Sequence, residues 1–86
     1  MVSRAKTILV VDDEADLRDL IAQVLHRTGY EVLEASSSRE ALSICYRNEV
    51  FIDLVISDCN MPDGNGIEIL GERLRTCYPS IQIIFM

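Results

Sequence analysis

Residues Ile8–Val11 form an unbroken run of β-branched and leucine side chains, the pattern of a strand buried on both faces of a parallel sheet. Beyond them the period changes. Leu17, Leu20, Ile21, Val24 and Leu25 recur at i, i+3, i+4, i+7 and i+8, one face of a helix over Ala15–Arg27. Gly29 then stands where a left-handed helix terminator is wanted. Tyr30–Ala35 reads as a short strand centred on Val32 and Leu33. Ser38 is placed to cap a second helix that runs to about Arg47 and buries Ala41, Leu42 and Cys45. Ile52–Ser57 is a third strand. Ile67–Cys77 is a third helix, burying Ile67, Leu70 and Leu74 and stopped by Pro79, and Ile81–Met86 is a fourth strand. Strands alternating with helices through short connections call for parallel strands, right-handed crossovers and helices on both faces. The expected fold is a doubly wound α/β sheet.

Composition narrows what such a sheet does. At 86 residues the chain suits one domain, and a domain this small buries a modest share of its surface. Its formal charge of −6 argues against a nucleic-acid face, which needs a basic patch. The first six residues, MVSRAK, read as a leader before a domain over 7–86, with no apolar segment of signal-peptide length behind them. No run is long enough to span a membrane. Cys45, Cys59 and Cys77 are scattered, odd in number and without C-x-x-C spacing, as reduced thiols in a cytoplasmic protein would be.

The candidate chemistry lies at the strand ends. Asp12 and Asp13 close the first strand and Asp58 closes the third. Sheets of this kind bind ligands beyond the carboxyl ends of their strands, where the strand order reverses. If those strands are neighbours, the carboxylates share one crevice. Two unit charges about 4 Å apart repel by roughly 4 kcal/mol at an effective dielectric near 20. A single strand-end aspartate is as readily explained by solvation. Three at the ends of two buried strands shift the balance toward a cation, and hard oxygen ligands with open positions suit Mg²⁺.

With VVDDE at 10–14, DLVISD at 53–58 and the loop Met61-Pro62-Asp63-Gly64-Asn65-Gly66, the chain resembles the receiver domain of bacterial response regulators. That family is the phospho-accepting half of two-component signalling, and the similarity runs from about Lys6 to Met86. The resemblance implies a flavodoxin-like fold with strand order 2-1-3-4-5. It implies that Asp58 takes a phosphoryl group from a phosphohistidine on a sensor histidine kinase or a histidine phosphotransfer protein. Mg²⁺ would be held by Asp13, Asp58 and the backbone carbonyl of Asn60, with Asp12 acting through water. Pro62 would stiffen the loop around the ion, while Gly64 and Gly66 would allow its bend.

Other polar residues carry simpler readings. Asp53 is a solvated strand start. His26 is a charge suited to a helix end, the Cys59 sulfur is tolerated, and Glu14 has either the site or a partner to serve. A hydrolase of the haloacid dehalogenase type also pairs an aspartate nucleophile with Mg²⁺, but it wants an acid where Asn60 stands. A non-phosphorylated interaction module on the same fold is the remaining alternative. The family domain continues through a fourth helix, a fifth strand and a fifth helix, with a Ser or Thr ending strand four and a Lys ending strand five. The expectation is therefore a domain incomplete at its C-terminus. The fourth strand would then be an apolar edge and the Leu17, Leu20 and Val24 face bare, a route to homo-oligomers.

Overall fold

The computed structural model describes residues 5–47, 51–58, 60–61, 64–65, 72, 76 and 81–85. Its elements are β1 (Thr7–Val11), α1 (Ala15–Thr28), β2 (Glu31–Ala35), α2 (Ser38–Arg47), β3 (Leu54–Ser57), β4 (Asn60–Met61), β5 (Gly64–Asn65) and β6 (Gln82–Phe85). The main sheet runs in the order β2-β1-β3-β6, with every pairing parallel. β6 is the fourth strand of the hydrophobic pattern, so the doubly wound expectation holds.

Register explains which side chains meet. Leu9 lies opposite Leu33 and Val55, Val11 opposite Ala35, and Val55 opposite Ile83. These positions share one face of the sheet, where they pack with Ala41, Leu42 and Cys45 of α2 and with Ile52. Ile8 and Val10 point to the other face, also buried. There α1 lies across β1 and β2, and its Arg18 reaches Glu34, a residue of that same face. A central strand covered on both sides has to be apolar throughout, which is why β1 shows no alternation.

The first helix matches the sequence reading, and the second differs from it at its cap. α1 buries Ala22, while Ile21 and Leu25 are half-buried. Leu17, Leu20 and Val24 are exposed by 39%, 57% and 54%. These three form the bare face expected of this helix, while Ala22, Ile21 and Leu25 meet the sheet. At α2 the cap is Ser37, not Ser38. Ser37 Oγ accepts the Glu40 N–H at 3.0 Å and its carbonyl accepts the Ala41 N–H at 3.0 Å, the first half of a capping box. Ser36 Oγ donates to Glu40 Oε2 at 2.8 Å. Ser38, one residue on, is turned into the core.

Asp53 is likewise not a solvated strand start. It is half-buried, its N–H donates to the Thr7 carbonyl at 2.9 Å, and its Oδ2 accepts the Thr7 N–H at 2.8 Å. The two bonds align the beginnings of β1 and β3. An unforeseen antiparallel pair, β4 with β5, follows β3, with Asn60 opposite Asn65 and Met61 opposite Gly64. Of the expected third helix, Glu72 and Thr76 are helical, with Thr76 Oγ1 donating to the Glu72 carbonyl at 2.9 Å. Its other residues, Pro79, and Pro62, Asp63 and Gly66 of the loop lie outside the described residues.

Candidate functional site

The site grows out of the way two strands end. β2 and β3 lie on opposite sides of β1, so the strand order reverses at β1 and leaves a crevice beyond its carboxyl end. One step past the ladder, the Asp12 N–H donates to the Ala35 carbonyl on β2 at 3.0 Å. The Asp58 N–H donates to the Val11 carbonyl on β1 at 3.0 Å. Each acid therefore leaves its strand on a backbone already fixed by a neighbour. One carboxylate oxygen from each of Asp12, Asp13 and Asp58 lies within 4.8 Å of the others. Asp12 is buried, Asp58 half-buried and Asp13 exposed. All three acids singled out from the sequence come together.

Asp12 is held at both its side chain and its backbone. Its Oδ1 accepts the Glu14 N–H at 2.9 Å, a local turn that sets the carboxylate's orientation. Its backbone carbonyl accepts a hydrogen bond from Arg18 Nη1 at 2.8 Å, and Arg18 Nε meets Glu34 Oε1 at 3.3 Å. Asp12 Oδ2, also buried, has no hydrogen-bond partner. Buried carboxylate oxygens seldom stay unsatisfied, because desolvation without a partner is costly. At the observed spacing, two ionised carboxylates repel by roughly 3–4 kcal/mol at an effective dielectric near 20, less where water screens the exposed Asp13. A bare buried oxygen among clustered acids fits an all-oxygen site for a hard cation, and the residues present suit Mg²⁺.

Asn60 opens β4, two residues beyond Asp58. Glu14 is exposed, its N–H donating to Asp12 Oδ1 and its carbonyl accepting the Arg18 N–H at 2.9 Å. His26 sits exposed in the last turn of α1, far from the acids in sequence and suited to the helix's negative end. Cys45 is a buried free thiol in the core, while Cys59 lies outside the described residues. Sequence reasoning passed over Arg18. The signal was there: an arginine one turn into a helix that begins just after a strand-end acid can reach back to that strand's last carbonyl.

Residues 8–86 match the model of the response regulator receiver domain, and the chain belongs to that family. It is a signalling domain of two-component systems rather than a hydrolase. The chain is 43% identical over 70 residues to the phosphate regulon transcriptional regulatory protein PhoB of Pseudomonas aeruginosa, covering 81% of this chain and 29% of that protein. It thus spans less than a third of that relative's length. The crystal structure of the response regulator TrrA from Thermotoga maritima in complex with Mg²⁺ and BeF is similar with a TM-score of 0.83 and 40% identity, covering 93% of this chain and 67% of that one. The structure of histidine kinase ThkA in complex with TrrA matches with a TM-score of 0.82 and 40% identity, over 93% of this chain and 66% of that one. Among the described residues, no helix is long and apolar enough to cross a membrane.

Proposed function

We propose that this receiver domain accepts a phosphoryl group on Asp58 from the phosphohistidine of a sensor histidine kinase or a histidine phosphotransfer protein. Asp13, Asp58 and the backbone carbonyl of Asn60 hold Mg²⁺ directly, and Asp12 holds it through water. The observation that carries this reading is the buried, unpartnered Asp12 Oδ2 in a cluster whose three carboxylates lie within 4.8 Å. When bound, the ion offsets the repulsion between a carboxylate and an anionic phosphoryl group and favours in-line geometry.

The chain's own residues do the rest. Asp58 supplies the nucleophile: its carboxylate oxygen forms the O–P bond as the P–N bond to the donor histidine breaks and the imidazole leaves. Its backbone N–H, tied to the Val11 carbonyl, fixes the point at the end of β3 from which that side chain leaves. Asp12, anchored through Oδ1 to Glu14, keeps the second oxygen free for a water of the ion. The domain thus promotes its own phosphorylation and dephosphorylation and signals by a change of conformation. The pairing of the related TrrA with histidine kinase ThkA supports a kinase partner, and such a donor implies a cytoplasmic setting.

Incubation with a small phosphodonor and Mg²⁺, followed by peptide mass spectrometry, tests the assignment. The label is expected on Asp58 and is lost in Asp58→Asn. A label on Asp53 or His26, or one undiminished in Asp58→Asn, overturns it.

A further inference from the structure

The peptide joining Asp12 to Asp13 lies one step past the ladder that ties the acid cluster to the sheet. The Asp12 N–H is tied to Ala35 and the Asp58 N–H to Val11. Past Asp12 the chain leaves the ladder, bends at Asp13 and enters α1. The Asp12 carbonyl, which belongs to that outgoing peptide, is gripped by Arg18 Nη1 at 2.8 Å. Arg18 sits one turn into α1, so its guanidinium lies back over the helix start. Glu34 on β2 takes its Nε at 3.3 Å, and the Arg18 side chain is only 19% exposed.

We propose that Arg18 is a positioning residue for the metal site: its grip on the Asp12 carbonyl fixes where the Asp13 carboxylate stands. Glu34 in turn holds Arg18 against the sheet. This inference rests on the Mg²⁺ reading above. A peptide unit is a rigid plane, so rotation of the Asp12–Asp13 plane moves its carbonyl and the Asp13 backbone together. A charge-assisted bond to that carbonyl resists the rotation. Charge acts in the opposite sense, because a guanidinium beside clustered acids disfavours an incoming cation. Loss of Arg18 weakens metal binding if the hydrogen bond governs, and tightens it if the charge governs.

The opposed signs make the test decisive. Mg²⁺ affinity is measured by titration calorimetry on the 86-residue chain and on Arg18→Met, Arg18→Lys, Arg18→Gln and Asp13→Ala, with metal-free melts alongside. Arg18→Met keeps the apolar stem and loses donor and charge, whereas Arg18→Lys keeps both in simpler form. The dissociation constant is expected to rise about tenfold in Arg18→Met, the scale found for groups that orient metal ligands. Arg18→Lys is expected to recover part of that loss. An Arg18→Met affinity equal to or tighter than wild type, or Arg18→Lys binding more weakly than Arg18→Met, overturns the proposal. Should Arg18→Met fail to fold, Arg18→Gln takes its place, neutral and expected weaker than wild type, with equal or tighter binding counting against the proposal. A wild-type chain that binds no Mg²⁺, or binding that survives Asp13→Ala, brings down the metal site and this inference together. Binding that needs Asp13 but not Arg18 brings down this inference alone.

Discussion

Ser37 Oγ accepts the Glu40 N–H at 3.0 Å, whereas Ser38 Oγ, one residue on, is buried without a partner. The same side chain thus stabilises at one position and costs at the next. Ser37→Ala removes an N-cap and is expected to lower stability by about 1 kcal/mol. Ser38→Ala removes an unsatisfied hydroxyl and adds a better helix former, so it should be neutral or stabilising by up to about 1 kcal/mol. Urea denaturation of both variants checks this, and the reverse order would return the cap to Ser38. Three consecutive serines gave the sequence no means of choosing between neighbours one residue apart. Asp12, Asp13 and Asp58 were legible because each follows an apolar run whose burial is obvious. Arg18 and Asp53 were not, since their partners, the Asp12 carbonyl and the Thr7 N–H, depend on which chain segments lie side by side.

α1 ends on a pair of backbone bonds that any sequence could make and few residues permit. The Gly29 N–H donates to the His26 carbonyl at 3.1 Å and the Tyr30 N–H to the Leu25 carbonyl at 3.2 Å, the two-bond pattern of a Schellman motif. It needs Gly29 at φ 109°, in left-handed territory. A Cβ added there meets no atom within 4 Å, so the cost of Gly29→Ala is backbone strain alone. That strain is about 1–2 kcal/mol, and Gly29→Asn should lose less, because asparagine tolerates this region better. Thermal or urea unfolding of the pair gives the answer: equal stability of all three would mean the helix end relaxes to another cap. Gly29 was readable from sequence because its requirement is local. The helical period alone did not separate the bare Leu17, Leu20 and Val24 from Ile21 and Leu25. It was the family resemblance that led to the expectation of a bare face there. Only the position of the helix over β1 and β2 decides which of them are covered.

At the scale of the whole molecule, the fold concentrates acids at one end of a chain whose net charge is already −6. Asp12, Asp13 and Asp58 repel one another most when metal-free, so the proposed Mg²⁺ binding would be linked to folding. A ligand that binds only the folded state stabilises it by mass action, about 1.4 kcal/mol at a free concentration tenfold above its dissociation constant. For a domain of this size that corresponds to a rise in Tm of roughly 6–11 °C. A diffuse acidic surface also attracts divalent cations, so the melts belong at about 0.15 M salt, where a Debye length near 8 Å suppresses that contribution. Under those conditions wild type should melt higher as Mg²⁺ is added, and Asp13→Ala should lose most of the rise. The same variant should melt at or above wild type without metal, because one repelling charge has gone while the buried Asp12 and its bonds remain. An equal rise in both proteins would place the stabilisation on the general surface charge and not at the strand ends. A fall in the metal-free Tm of Asp13→Ala would show that Asp13 holds the β1–α1 bend by itself, and that repulsion is the smaller effect.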